Sequence, residues 1–542
     1  MRRTDRPHQH RTPATPHASA FCRPALAVLA ALALSAPAPA HPSSREFIPV
    51  GDPLESELRL LDLISSGGLG QEIWLAHLHT RPLQLSELRG PGAYRSGHDP
   101  ARDLSLLRIE RFLARDLPPA LDSLSPAAVP GVTPRLFESR PDPTSHLQFS
   151  AGLVARAEAG EPRTRIISGS GTHFRAAAQR EGILAYTDLL VAKVDSVPSY
   201  TDPLVANSDI LFTTEETYLA WATASGGFSI QAGRSRHQWG PGEEAGLLVS
   251  RTSVPLSGIT VRAGFRSLRL DFESLSATLA GAEGRQLAGH RIEWQPLDPL
   301  RVGLSETAVY HSPGWDPLYA IGIIPYSLVQ RLQTQDEPNE VAALRNNVTA
   351  GVDAAWRLAD GSRVYGELLV DDLHVKTATV PNKWGFLLGW EGVAMVGQSR
   401  LSWGGEFVRL SRYVYTSAYD CPLAAQAMPI GYPTGPDSRR VRVRGAWDWS
   451  ADWQITASVS QTDRGEGALD RPYVPGTHYG RPMSFEGVVE RSRDAEAGVR
   501  WWPASGIDLA VSGGWREARD CGHVAGASRG GLFGALQVRL SR

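Results

Sequence analysis

The chain has 542 residues, with 55 basic and 57 acidic side chains, a formal net charge of −2 and 42% hydrophobic residues. That balance offers no basic footprint for nucleic acid. Past residue 40 no run of about 18 apolar residues occurs, which excludes a membrane-spanning helix. An exported soluble protein or a barrel whose membrane signal is spread thinly over many strands remains.

Residues 1–40 read as a signal peptide. Arg2, Arg3, Arg6, Arg11 and Arg23 form a basic start, Ala25 to Ala36 an apolar run, and Ala38-Pro39-Ala40 a small-x-small site, placing the cut before His41. Cys22 precedes the apolar run, so lipoprotein processing is not expected. The leader removes five arginines and one acid, Asp5, and leaves an acidic mature chain. Two cysteines survive, Cys421 and Cys521, in a compartment that permits disulfides.

Residues 41–144 read as a small helical domain in the periplasm followed by a linker. Asp52 can cap a helix, Pro53 suits its first turn, and Glu55 stands three residues after the cap. Leu54, Leu58, Leu61 and Ile64 recur at helical spacing before Gly67-Gly68. A second helical stretch follows Arg81-Pro82 with Leu85 and Leu88, and a third spans about Pro100 to Arg115. Leu117 to Pro143 is rich in Pro and Ser and reads as the linker. His77 and His79 lack a third ligand, so no metal site is expected, and no cofactor-binding loop occurs.

From residue 145 to 542 the period changes to two. Val348, Ala350, Val352, Ala354 and Trp356 alternate with Thr349, Gly351, Asp353, Ala355 and Arg357. Asp360-Gly361 then turns the chain into Val364, Gly366, Leu368 and Val370. The pattern repeats around Pro296-Leu297-Asp298, Ser450 to Asp452 and Pro503 to Gly506, often with a Trp just before the turn. Runs starting near residues 146, 168, 182, 214, 227, 258, 267, 287, 299, 347, 362, 384, 400, 440, 453, 490, 507 and 532 make about eighteen strands. Every second connection is short, whereas 193–213, 235–257, 311–346, 412–439 and 464–489 are long. That asymmetry is the pattern of an outer-membrane β-barrel, all-β and antiparallel, surrounded by outer-membrane lipid. Closure leaves no unpaired backbone edge in hydrocarbon. Asp353, Arg357, Glu367, Asp448 and Gln454 would then line a wet lumen.

The segment Gly233-Arg234-Ser235-Arg236-His237-Gln238-Trp239-Gly240-Pro241-Gly242, with Leu247 to Ser250 and Val254 to Ile259, resembles the signature region of the capsule assembly Wzi family. Pro49-Val50-Gly51-Asp52-Pro53-Leu54, with a leucine-rich helix and Trp74, is also similar to that family. The resemblance implies an N-terminal helical part, an eighteen-stranded barrel and a lectin-like, non-enzymatic role in attaching or assembling capsular or related surface polysaccharide. A porin or oligosaccharide export channel is the alternative function.

Candidate polysaccharide contacts are His237 and Trp239 beside Gly240-Pro241-Gly242, Trp315, Tyr319 and Tyr326 in one long loop, Tyr419 in the next, and Tyr473 and Tyr479 in a third. Ring faces stack on sugar C–H faces. Two readings stay open: these rings bind sugar, or they pack loop against loop, with Gly240, Pro241 and Gly242 shaping a plug. Cys421 and Cys521 fall on the same side of the barrel and are candidates for a disulfide. Acids are plentiful, but no spacing marks a glycosidase pair, and no catalytic residue is expected. The expected partners are polysaccharide, lipid and the barrel-insertion machinery, for a monomer.

Overall fold

The computed structural model describes residues 47, 48, 50, 53–64, 78–83, 104–105, 107–109, 137–142, 145–160, 165–166, 170–193, 210–223, 227–279, 284–334, 346–372, 381–418, 420–474, 477, 483–504 and 506–541. Eighteen antiparallel strands close into one barrel. They are β1 Ser145–Gly160, β2 Ser170–Arg180, β3 Ile183–Lys193, β4 Ile210–Ala222, β5 Phe228–Ser235, β6 Leu256–Phe265, β7 Leu270–Thr278, β8 Arg285–Leu297 and β9 Leu300–His311. The series continues with β10 Asn346–Ala359, β11 Ser362–Asp372, β12 Lys383–Val396, β13 Ser399–Leu410, β14 Ser438–Asp448, β15 Trp453–Arg464, β16 Glu490–Ala504, β17 Ile507–Arg519 and β18 Ser528–Ser541.

Each strand pairs with its neighbour in sequence, and β18 returns to β1 with Leu536 opposite Ala157 and Leu540 opposite Leu153. Every expected strand is present. The larger offsets have local causes. β18 begins with Ser528-Arg529-Gly530-Gly531, which carries no apolar alternation, and β4 begins with the continuous apolar run Ile210-Leu211-Phe212.

Alternation sorts the two faces. Val352, Trp356, Val364, Leu368, Leu388, Val443 and Val459 are exposed on the outer wall, the apolar face that a membrane barrel turns outward. Trp294, Trp356, Trp447, Trp453 and Trp501 are exposed beside the short turns. Trp453 stacks on Trp501 at 5.2 Å and Trp447 on Trp449 at 6.0 Å, as expected of rings at a membrane interface. Gly361, with φ +78°, makes the tight turn between β10 and β11 that a side chain would strain.

Inside, the expectation of a water-lined wall does not hold for β8–β14. Asp353, Glu367 and Asp448 are buried and bonded to protein. The occupant begins with helix α1, Pro53–Ile64, in which Leu54, Leu58, Leu61 and Leu63 are buried together with Glu55, Glu57, Arg59 and Asp62. Asp62 accepts from Arg301 at 2.8 and 2.9 Å and from Arg363 at 2.7 Å. Glu57 meets Arg400 at 3.0 Å, and Arg400 and Arg108 converge on Asp448. The Gly361 amide donates to the Leu63 carbonyl at 2.8 Å, which places the end of α1 against a short turn.

The described N-terminal residues are thus bound to the inner wall, not held apart as a separate unit in front of the barrel. Glu55, Arg59 and Asp62 on one side of α1 and Glu57 on the opposite side all find partners there, and a charged group leaves water only where it is paired. Residues 104–105 and 107–109 are helical; the second expected helix lies outside the described residues.

Candidate functional site

The long connection between β5 and β6 turns into the lumen instead of out to solvent. Gln238 and Trp239 pair as a two-residue ribbon with Arg81 and Thr80, so this loop and the N-terminal segment form one internal structure. Gly240 has φ +103°, and a Cβ there would stand 2.4 Å from Glu367 Oε1. Only glycine lets the backbone come that near the wall.

Wall carboxylates grip the backbone of the plug. Glu367 of β11 accepts from the Gly242 amide at 2.8 Å and the Leu247 amide at 2.7 Å. Glu406 of β13 accepts from Glu243 N at 2.5 Å, from Glu244 N at 3.3 Å and from Tyr365 Oη at 2.9 Å. The plug's own acids face arginines: Glu243 pairs with Arg444, and Glu244 with Arg440 at 2.8 and 2.9 Å. Burial opposes ionisation of Glu244, but its hydrogen bonds with Arg440 hold the carboxyl below the usual carboxylate range.

Trp239 is buried, and its Nε1 donates to Glu273 Oε1 at 2.8 Å. His237 Nε2 lies 3.0 Å from Ser235 Oγ, and His237 Nδ1 lies 3.7 Å from Glu273 Oε1. Serine, histidine and acid stand in the order of a hydrolase relay, yet all three are buried. A cavity of about 10 Å³ between Trp239, Leu248, Arg291 and Asp353 has room for a water, not a sugar.

The connection between β13 and β14 covers the plug. Tyr415 Oη donates to the Leu247 carbonyl at 2.5 Å, the Ser250 amide to the Ile430 carbonyl at 2.9 Å, and Tyr432 Oη to Glu244 at 3.0 Å. Leu247, Val249, Val414, Tyr415, Leu423, Ile430 and Tyr432 make one apolar core. Burial pushes both tyrosine hydroxyls well above their ordinary pKa, so they remain neutral donors.

The expected aromatic contacts divide. Tyr319 and Tyr326 are buried in α2 (Pro317–Ala320) and α3 (Tyr326–Thr334), where Tyr319 stacks on Tyr310 at 4.4 Å and accepts from Asn346 Nδ2 at 2.7 Å. Tyr473 is buried edge-on to Tyr413 at 5.7 Å. Trp315 is exposed, on the same rim as His311, whose Nε2 lies 3.2 Å from the Asp420 carbonyl. Tyr419 and Tyr479 lie outside the described residues. Trp239, Tyr319, Tyr326 and Tyr473 are therefore packed side chains that shape the loops, while Trp315 presents a free ring.

The expected disulfide is not formed; Cys421 and Cys521 are unbridged. Cys421 is packed in the core under the β13–β14 connection, whereas Cys521, between β17 and β18, donates its thiol to the Ala518 carbonyl. Four strand spacings of about 4.8 Å separate those connections, and a disulfide needs Cα atoms within about 7 Å. The wall acids Glu273, Glu367 and Glu406 are the residues sequence reading did not single out as a site. Their signal is an acid at an inward position of an alternating run, which marks a lumen-facing group but names no partner.

The model of the capsule assembly protein Wzi family matches residues 148–527. The chain belongs to that family. Its fold is similar to a solved Wzi structure from Escherichia coli, with TM-score 0.61 and 14% identity over 91% of this chain and 99% of that one; that protein is described as an outer-membrane, carbohydrate-binding β-barrel involved in group 1 capsule assembly. OccD3 of Pseudomonas aeruginosa is more distant, with TM-score 0.41 and 11% identity over 73% of this chain and 91% of that one. No curated protein sequence matches the chain. Family membership and the closed barrel put this protein in the outer membrane.

Proposed function

We propose that this protein binds capsular or related surface polysaccharide on its long-loop face and holds it at the cell exterior, as a lectin-like scaffold and not an enzyme. One observation carries the reading: the 236–255 plug reaches wall residues from β7 round to β14 through buried and half-buried bonds, so the loops are braced from within. A braced rim with Trp315 exposed suits stacking on sugar, while the Ser235–His237–Glu273 relay is closed to substrate. The E. coli relative's described carbohydrate binding supports the ligand class. The N-terminal segment, meeting the barrel at its short turns, faces the periplasm in this reading. The barrel-insertion machinery delivers the protein as a monomer.

The channel rival has one observation in its favour: inward-facing Thr456, Glu496 and Arg516 of β15–β17 are exposed. Polysaccharide binding by the detergent-solubilised protein and conductance in planar bilayers separate the two. Saturable binding with little current is expected. Steady porin-like current without polysaccharide binding overturns the proposal.

A further inference from the structure

A row of arginines crosses the outer wall at the long-loop end. The register aligns Arg439 of β14, Asp463 of β15, Arg491 of β16 and Arg519 of β17, and one level lower Gln461, Arg493 and Glu517. These positions share the parity of the exposed Val441, Val443, Val459, Val499 and Val511, so they lie on the lipid-facing side. Charge on that face is unfavourable near the bilayer centre and tolerated only toward an interface.

Their height agrees. From Trp501, in the ring of tryptophans at the short turns, back to Arg491 the strand rises about 33 Å, or about 25 Å along the normal at a tilt of about 40°. That is the thickness of the apolar band, so the row sits where outer-leaflet headgroups begin.

The row is built to leave donors unused. Asp463, whose side chain is 1% exposed, takes Nε and Nη2 of Arg439 but only Nε of Arg491, at 2.9 Å. Arg493 uses only Nε, on Gln461 at 3.0 Å, and Arg519 only Nε, on Glu517 at 2.5 Å. The Nη groups of Arg491, Arg493 and Arg519 meet no acceptor among the described residues. Side chains of Arg439, Arg491 and Arg519 are 40%, 43% and 59% exposed. Phe485 lies 4.1 Å from the Arg409 guanidinium and 5.8 Å from that of its cross-strand partner Arg439. Four guanidiniums face two carboxylates, an excess of positive charge.

We infer that this row is a binding site for the phosphate groups of an outer-leaflet lipid, whose acyl chains run down the valine strip below. Guanidinium forks suit phosphate bidentately, and an anionic headgroup relieves the repulsion among the arginines. The inference requires the barrel but not the polysaccharide reading.

The test uses the full mature protein in detergent and native mass spectrometry. Lipid A, an acylated glucosamine disaccharide with two phosphates, is compared with its dephosphorylated form and with phosphatidylcholine. Retention of phosphorylated lipid A alone is expected. The double substitution R493Q and R519Q, which leaves the Asp463 pairs intact, is expected to weaken it about tenfold, with heat-modifiable gel mobility unchanged. Equal retention of the three lipids overturns the site. So does unchanged affinity in a folded double variant, or displacement of lipid A by millimolar inorganic phosphate, which marks a general anion site. Should the double variant not fold, the three-lipid comparison on the unsubstituted protein decides. Polysaccharide binding measured on the same variant should be unaffected; a parallel loss assigns the row to polysaccharide and overturns the lipid assignment.

Discussion

Arg59 donates Nη1 to the Pro241 carbonyl at 2.6 Å and Nε to Glu391 at 2.8 Å, so one guanidinium of α1 ties the plug to the wall at β12. Burial works against its charge, but Glu391 raises its pKa above the ordinary arginine value and keeps the cation in place. Arg59→Met should lower unfolding stability by about 3–5 kcal/mol, because it strands buried groups that the cation satisfied. Arg59→Lys, which keeps the charge with fewer donors, should lose less. Thermal unfolding in detergent, followed by gel mobility, reads both.

Glu367→Gln tests the grip on the plug. A carboxylate accepts two amides, one on each oxygen; the amide side chain offers one acceptor and sets a donor against a donor. A loss of about 1–3 kcal/mol in plug anchoring is expected, seen as increased bilayer conductance and protease cleavage between 240 and 250. Wild-type conductance and resistance would show that the contacts with Glu406 and Arg440 suffice.

Gly240→Ala places a methyl group against Glu367 at a φ that L-residues avoid. The backbone strain alone costs about 1–3 kcal/mol. The variant should resemble Glu367→Gln in conductance, and adding the second substitution should cost less than the sum, since both act on one contact.

The Glu244–Arg440 pair gives a pH dependence. The folded pKa of Glu244 is depressed, so its contribution is fully present above the unfolded value, about 4.3, and is lost as pH falls through the folded value. Conductance should stay flat from pH 8 to about 5 and rise below about 4. Glu244→Gln should be more conductive at neutral pH and show a smaller acid rise. An identical acid rise in the variant would assign the effect to other carboxylates.

Trp315→Ala should reduce polysaccharide affinity about tenfold, the loss of one stacking face, and leave unfolding unchanged because the ring is exposed. Tyr319→Ala, which removes a buried stacked ring, should destabilise the loop by about 3–5 kcal/mol whatever the ligand. Titration calorimetry against the same polysaccharide, with unfolding curves, separates contact from support.

The barrel was legible because membrane strands must alternate. Val348 to Trp356 and Val441 to Trp449 show period two, and Asp360-Gly361 names its own turn. The plug was legible only as one of two readings for Trp239-Gly240-Pro241-Gly242. Its direction depends on Glu367 and Glu406, 125 and 163 residues further along the chain from their amide partners, and no local pattern reports such a contact. Tyr319, Tyr326 and Tyr473 read as loop aromatics because a ring in a polar loop has the same sequence whether it faces solvent or neighbours. The Cys421–Cys521 expectation failed for a related reason: sharing one end of the cylinder says nothing of the distance around its circumference.

Wall acids that hold amide groups recognise something every residue except proline carries. The wall therefore holds the 242–247 turn by its main chain, while Gly242 and Gly246, where a Cβ would stand 2.2 Å from the Ala245 and Trp239 carbonyls, fix its path. Such a socket is keyed to a backbone path, so an engineered loop grafted there must keep both glycines and their spacing to seat without rebuilding the surrounding cylinder.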